Sequence, residues 1–123
     1  MGVAAAQLSD AEVARRLPVW RALSDIFLDT ELDPHHYRRM ADAIAQSGFS
    51  ASEAEAIFRD EVAPAFAANL WDVAGEWQGW PDDYVRERVL AKRGSALSKA
   101  ANWLFHREML DREWARVADF LRA

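Results

Sequence analysis

Apolar residues recur three or four positions apart along most of this chain, and no stretch shows a convincing alternation of apolar and polar residues. The first spacing gathers side chains on one face of a helix, whereas alternation marks a half-buried strand. Val13, Leu17, Trp20, Leu23 and Phe27 make the first stripe. Ser9 followed by Glu12 has the form of a capping box, so this helix is expected to start near residue 10. Pro18 lies inside the stripe without the N–H that a helix interior needs. A kink is expected there, or a break with Pro18 opening a second helix. The fold class this pattern predicts is all-α: a compact bundle of about five or six helices with no sheet.

Further along, Asp33-Pro34 reads as an N-cap followed by proline at the first helical position. Tyr37, Met40, Ala41 and Ile44 form the inner face of that helix, Arg38, Arg39 and Asp42 face outward, and Gly48 is placed to end it. Ser50 and Glu53 repeat the capping box before Ala54, Ile57, Phe58 and Val62, with Pro64 expected to interrupt. Residues 64–82 are punctuated by two glycines and two prolines, and Trp71, Trp77 and Trp80 fall there. A short helix and a loop around Gly79–Pro81 are expected. Pro81 then opens a helix through Tyr84, Val85, Val89 and Leu90, weakened at Gly94-Ser95. Leu97, Ala101, Leu104 and Phe105 continue the helical pattern, and Leu110, Trp114, Val117 and Leu121 make a last stripe with Asp111 as its N-cap. Trp20, Trp103 and Trp114 stand on apolar faces and are assigned to the core.

A chain of 123 residues fits one domain, with residues 1–8 expected as a flexible N-terminus. The absence of cysteine excludes disulfides, thiolate nucleophiles and cysteine zinc sites. Neither a signal-like N-terminus nor a membrane-length apolar run is present, so a cytoplasmic protein is expected. The net charge of −5 conceals a gradient: residues 1–83 hold 15 acids against 6 bases, and residues 84–123 hold 5 against 9. An acidic body suits a basic protein partner better than nucleic acid, which needs a positive field along its phosphates.

Asp29, Glu31, Asp33, His35 and His36 crowd one corner. Adjacent histidines on a helix point about 100° apart, and no H-x-x-x-H pair exists. The oxygen cluster lacks the glycine and terminal glutamate of a calcium loop. No metal site and no cofactor are therefore expected. Nor is catalysis: Ser24 and Ser95 lack the surroundings of a nucleophile, and no phosphate-binding glycine loop occurs. Ser24 is assigned a helix-surface or back-bonding hydroxyl. Glu61, if buried, must find hydrogen-bonding partners.

The segments VWRALSDIFLDTEL (Val19–Leu32), EVAPAF (Glu61–Phe66) and NLWDVAGEWQGW (Asn69–Trp80) resemble a family of small bacterial proteins of uncharacterised function. That resemblance implies a bacterial, cytoplasmic domain and transfers no catalytic residues. The function expected from the surface is a non-catalytic interaction domain, most concretely an immunity-type inhibitor of a basic bacterial toxin or effector. Its contact residues are expected to be Asp25, Asp29, Glu31, Trp77 and Trp80, with charge giving fast encounter and the indoles slow release. The alternative is a regulatory nucleic-acid-binding module using Arg86, Arg88, Lys92, Arg93 and Lys99. Spread around their helix, those bases read rather as a solvated surface.

Overall fold

The computed structural model describes residues 7–27, 32–67, 80–93 and 96–122. Among the described residues six α-helices follow one another: α1 (Asp10–Ser24), α2 (Pro34–Ser47), α3 (Ala51–Ile57), α4 (Ala63–Phe66), α5 (Asp82–Lys92) and α6 (Ala96–Leu121). A 3-10 turn, Asp25–Phe27, extends α1, and a π-helical turn, Phe58–Val62, joins α3 to α4. With those two counted as one rod, five helical bodies surround one core, and no strand occurs among the described residues. The all-α bundle expected from periodicity is what the chain forms. Helix α1 packs on α2 and α5, α2 packs on α6, and the α3–α4 rod runs between them.

The helix starts follow the polar residues expected to make them. The Ser9 hydroxyl accepts the Glu12 N–H, and the Asp33 carboxylate accepts the His36 N–H. In α2 the box is closed by a histidine, because His36 Nδ1 accepts the Asp33 N–H at 3.0 Å. Ser50 and Glu53 close the third box reciprocally. Helix α1 has only half of one, since Glu12 turns to Arg16 at 2.8 Å. Gly48 ends α2 at φ 81°, a left-handed conformation that a side chain would strain. Val13, Trp20, Leu23, Phe27, Tyr37, Met40, Ala41 and Ile44 are all buried on the faces their spacing defines.

Pro18 does not break its helix, and Pro64 does not interrupt the rod that carries it. Helix α1 runs through Pro18, which is exposed. Before Pro64 the helix widens, and the N–H of Ala63 reaches back five residues to the carbonyl of Phe58. A proline ring in a regular α-helix clashes with the carbonyl four residues earlier, and one extra residue per turn relieves that crowding.

The final helix departs furthest from expectation. Asp111 caps nothing: α6 is one continuous helix through it, 26 residues long. Leu110, Trp114 and Val117 are buried in its second half as their stripe predicts. Trp103, expected in the core, is 64% exposed, and Leu97, Leu104 and Phe105 are 83%, 65% and 73% exposed. At 100° per residue, Leu97, Ala101, Leu104 and Phe105 lie opposite Leu110, Glu113, Trp114 and Val117. One rod cannot turn both stripes inward.

Candidate functional site

Three places bring chemistry-bearing side chains together. The first is enclosed. Glu61 sits in the widened turn, 6% exposed, and its carboxylate accepts the Trp20 indole N–H at 2.8 Å and Arg16 at 2.5 Å. Arg93 stands 3.5 Å away on the same side. A carboxylate held by an indole and two guanidiniums is satisfied, and its work is to join α1, the π turn and the end of α5. A parallel network joins α2 to α6: the Tyr37 hydroxyl donates to Glu113 at 2.5 Å and accepts from Arg116 at 3.2 Å. Burial and then the bond to Glu113 push the Tyr37 phenol above its ordinary pKa.

The second place is a groove of about 510 Å³ between α1 and α2. Leu17, Pro18, Ala22 and Met40 line its apolar part, while Arg21, Arg39, His36, Asp25 and Asp82 bring charge. Asp25 is half-buried there, and burial raises its carboxyl above the usual range despite the opposing pull of Arg21, His36 and Arg39. Arg21 bridges to Asp82 at 2.6 Å. The groove is therefore mixed in charge.

The third is the first half of α6. Leu97, Leu104 and Phe105 project outward, away from the bundle. Trp103, nearer the bundle, borders a cleft of about 380 Å³ shared with Arg59, Asp60, Lys99, Asn102 and Arg107. Arg107 lies over the Trp103 ring at 5.2 Å. Asn102 is 6% exposed, and its Nδ2 has no hydrogen-bond partner. Large apolar side chains this exposed, contiguous along one helix, mark contact surfaces more often than chance decoration.

Of the expected contact residues, Asp25 lines the groove and Trp80 is 6% exposed, its ring stacked on Phe66 at 4.6 Å and facing Tyr84 at 6.3 Å. Trp80 thus offers its ring to the core rather than to solvent. Asp29, Glu31 and Trp77 lie outside the described residues. Among the basic residues, Arg88 donates to the Ala65 carbonyl, Arg93 pairs with Glu61, and Lys99 approaches Asp60 at 3.9 Å. Ser24 is buried and back-bonds to the Arg21 carbonyl at 2.7 Å. His36 spends its Nδ1 on capping, and no group of three or more potential ligands gathers for a metal ion among the described residues. No described helix is long and apolar enough to cross a membrane. The sequence signal for the α6 surface was present as the Leu97–Phe105 stripe, but its spacing alone looks the same whether it faces core or solvent.

A family model described as a domain of unknown function, DUF7079, matches residues 14–120. Neither the curated proteins nor the solved structures returned a match.

Proposed function

The chain belongs to the DUF7079 family, a domain of unknown function, and we propose that it works as a non-catalytic protein-interaction domain. The observation that carries this reading is the outward ridge of Leu97, Leu104 and Phe105 on α6, each at least 65% exposed. A folded protein does not stabilise itself by holding three large apolar side chains in water, and their desolvation favours association. The test compares full-length protein with a Leu104→Glu, Phe105→Glu double variant in pull-downs from cells of the source organism. Loss of specific partners from the variant supports the ridge. Retention of every wild-type partner overturns it.

The finer form of the reading is immunity-type inhibition of a basic toxin or effector, favoured by the excess of acids over residues 1–83. Charge reversal at Asp29 and Glu31 tests it, because unchanged affinity for a basic partner removes the acidic corner from the interface.

A further inference from the structure

We propose that the cleft between the first half of α6 and the π turn binds a small oxyanion, a carboxylate or a phosphate, carried on a flat ring. This site is independent of the outward ridge, which lies on the other side of the helix. At 100° per residue, Lys99, Asn102 and Trp103 fall on the same side of α6 as Leu110, Trp114 and Val117. The second half of that side is apolar there and closes onto the core. The first half carries an ammonium, an amide and an indole in the same place, facing the Arg59–Asp60 part of the π turn across a cleft of about 380 Å³. That volume is in the range of small-ligand sites. Packing against a bundle favours aliphatic residues on the inward side of a helix, so packing does not account for this set.

Asn102 is the residue most in need of a partner. It is 6% exposed, and its Nδ2 meets no acceptor among the described residues. A buried amide donor without an acceptor is costly, and an oxyanion supplies one. The charges around it have the sign an anion needs. Arg59 is engaged by Glu55 at 2.9 Å and Asp111 at 2.8 Å, so it braces the wall. Lys99 is loosely held, its Nζ 3.9 Å from Asp60 and beyond hydrogen-bond reach. Arg107 pairs with no carboxylate among the described residues and lies over the Trp103 ring at 5.2 Å. Asp60 is the one acid among the described lining residues, and a bound anion would draw Lys99 away from it. The indole defines the rest of the ligand. Trp103 is exposed beside these donors, with Ala100 and Leu110 adding apolar wall. An exposed indole next to cations can stack a flat ring while the cations take its charge.

The test is a nuclear magnetic resonance titration of the isotope-labelled full chain with benzoate, phenyl phosphate, inorganic phosphate and benzyl alcohol. Benzoate or phenyl phosphate is expected to shift the Asn102 side-chain amide and the Trp103 indole N–H to saturation, and the tighter of the two identifies the oxyanion. Benzyl alcohol keeps the ring without the charge, and inorganic phosphate keeps the charge without the ring. Each should bind at least about tenfold more weakly. Lys99→Gln and Arg107→Gln, both at exposed positions, should each weaken the better ligand about three- to tenfold, with unchanged helical circular dichroism. Asn102→Leu should abolish binding without lowering the urea midpoint, because it removes a buried donor that has no partner. No saturating shift with either ring-bearing anion overturns the proposal. So does benzyl alcohol or inorganic phosphate binding as tightly as they do, or an affinity that the Lys99, Arg107 or Asn102 variants leave unchanged. A urea midpoint well below wild type in Asn102→Leu would give the amide a structural role and overturn the site as well.

Discussion

Glu61 shows how one buried charge can organise three elements. Its carboxylate is the acceptor for Trp20 and Arg16, residues 41 and 45 positions away in sequence. Replacing it by leucine leaves a buried indole N–H without its acceptor and takes one carboxylate away from Arg16 and Arg93, which should cost about 2–4 kcal/mol in urea unfolding. Glutamine keeps one oxygen for the indole and should cost less. A leucine variant as stable as the wild type would show that the network adds nothing. The sequence implied that a buried Glu61 needs partners, but which partners depends on how α1 packs against the π turn. Asp25 makes a different point. Its carboxyl is raised by burial, so between its unfolded and folded pKa values the native state holds more protons than the unfolded chain. Stability from this group is therefore present at low pH, falls as pH rises through the window just above the usual carboxylate range, and is flat beyond it. Urea midpoints between about pH 4 and pH 7 should lose that component of slope in Asp25→Asn. A slope identical in the two proteins would remove Asp25 as its source.

Helices obey their local chemistry at the ends and their neighbours in the middle. Ser50, Asp33 and Gly48 do what their side chains or lack of one require, because caps are settled within four residues. A break at Pro18 was one expectation and an interruption at Pro64 another, yet the helix holds on both sides of each, once in a continuous helix and once through a widened turn. Helix α6 is the clearest case of a pattern that periodicity alone leaves undecided. Its two apolar stripes lie on opposite sides, and only the one facing α2 and the α3–α4 rod is buried. That division predicts unequal costs along one helix. Trp114→Ala should destabilise by about 3–5 kcal/mol, since the ring is 7% exposed and stacks on Phe58 at 6.0 Å. Phe105→Ala should stay within about 0.5 kcal/mol, because a 73% exposed ring has little burial to lose. Both are read from denaturant midpoints. Comparable losses at the two positions would mean that the outward stripe is covered.

The charge gradient along the chain is partly folded away. Arg93 meets Glu61 and Lys99 approaches Asp60, so bases of the base-rich third lie against acids from the rest, while Asp111 of that third takes Arg59 at 2.8 Å. The Lys99 and Asp111 contacts tie α6 to the π turn, where the hydrophobic core passes from Phe27 through Phe58 to Trp114 with ring centroids about 6 Å apart. That core draws on each of the six described helices: Trp20, Met40, Ile57, Phe66, Val85 and Val117 belong to one continuous cluster. With no second core among the described residues, the chain should lose structure in one cooperative step. For 123 residues the unfolding enthalpy near 60 °C is then about 80–90 kcal/mol, and calorimetric and van't Hoff values should agree. Far-ultraviolet dichroism, which follows all the helices, and tryptophan emission should share a midpoint. The element that would break this coincidence is the outward half of α6. It has a cleft of mixed lining on one side and solvent on the other, so its attachment rests on the Lys99–Asp60 pair, on the buried Asn102 and on the continuity of the helix. If helical signal were lost before the fluorescence changed, that half would be melting alone. Those contacts would then be too weak to hold the ridge in place, and an interface built on it would have to order the helix as it formed.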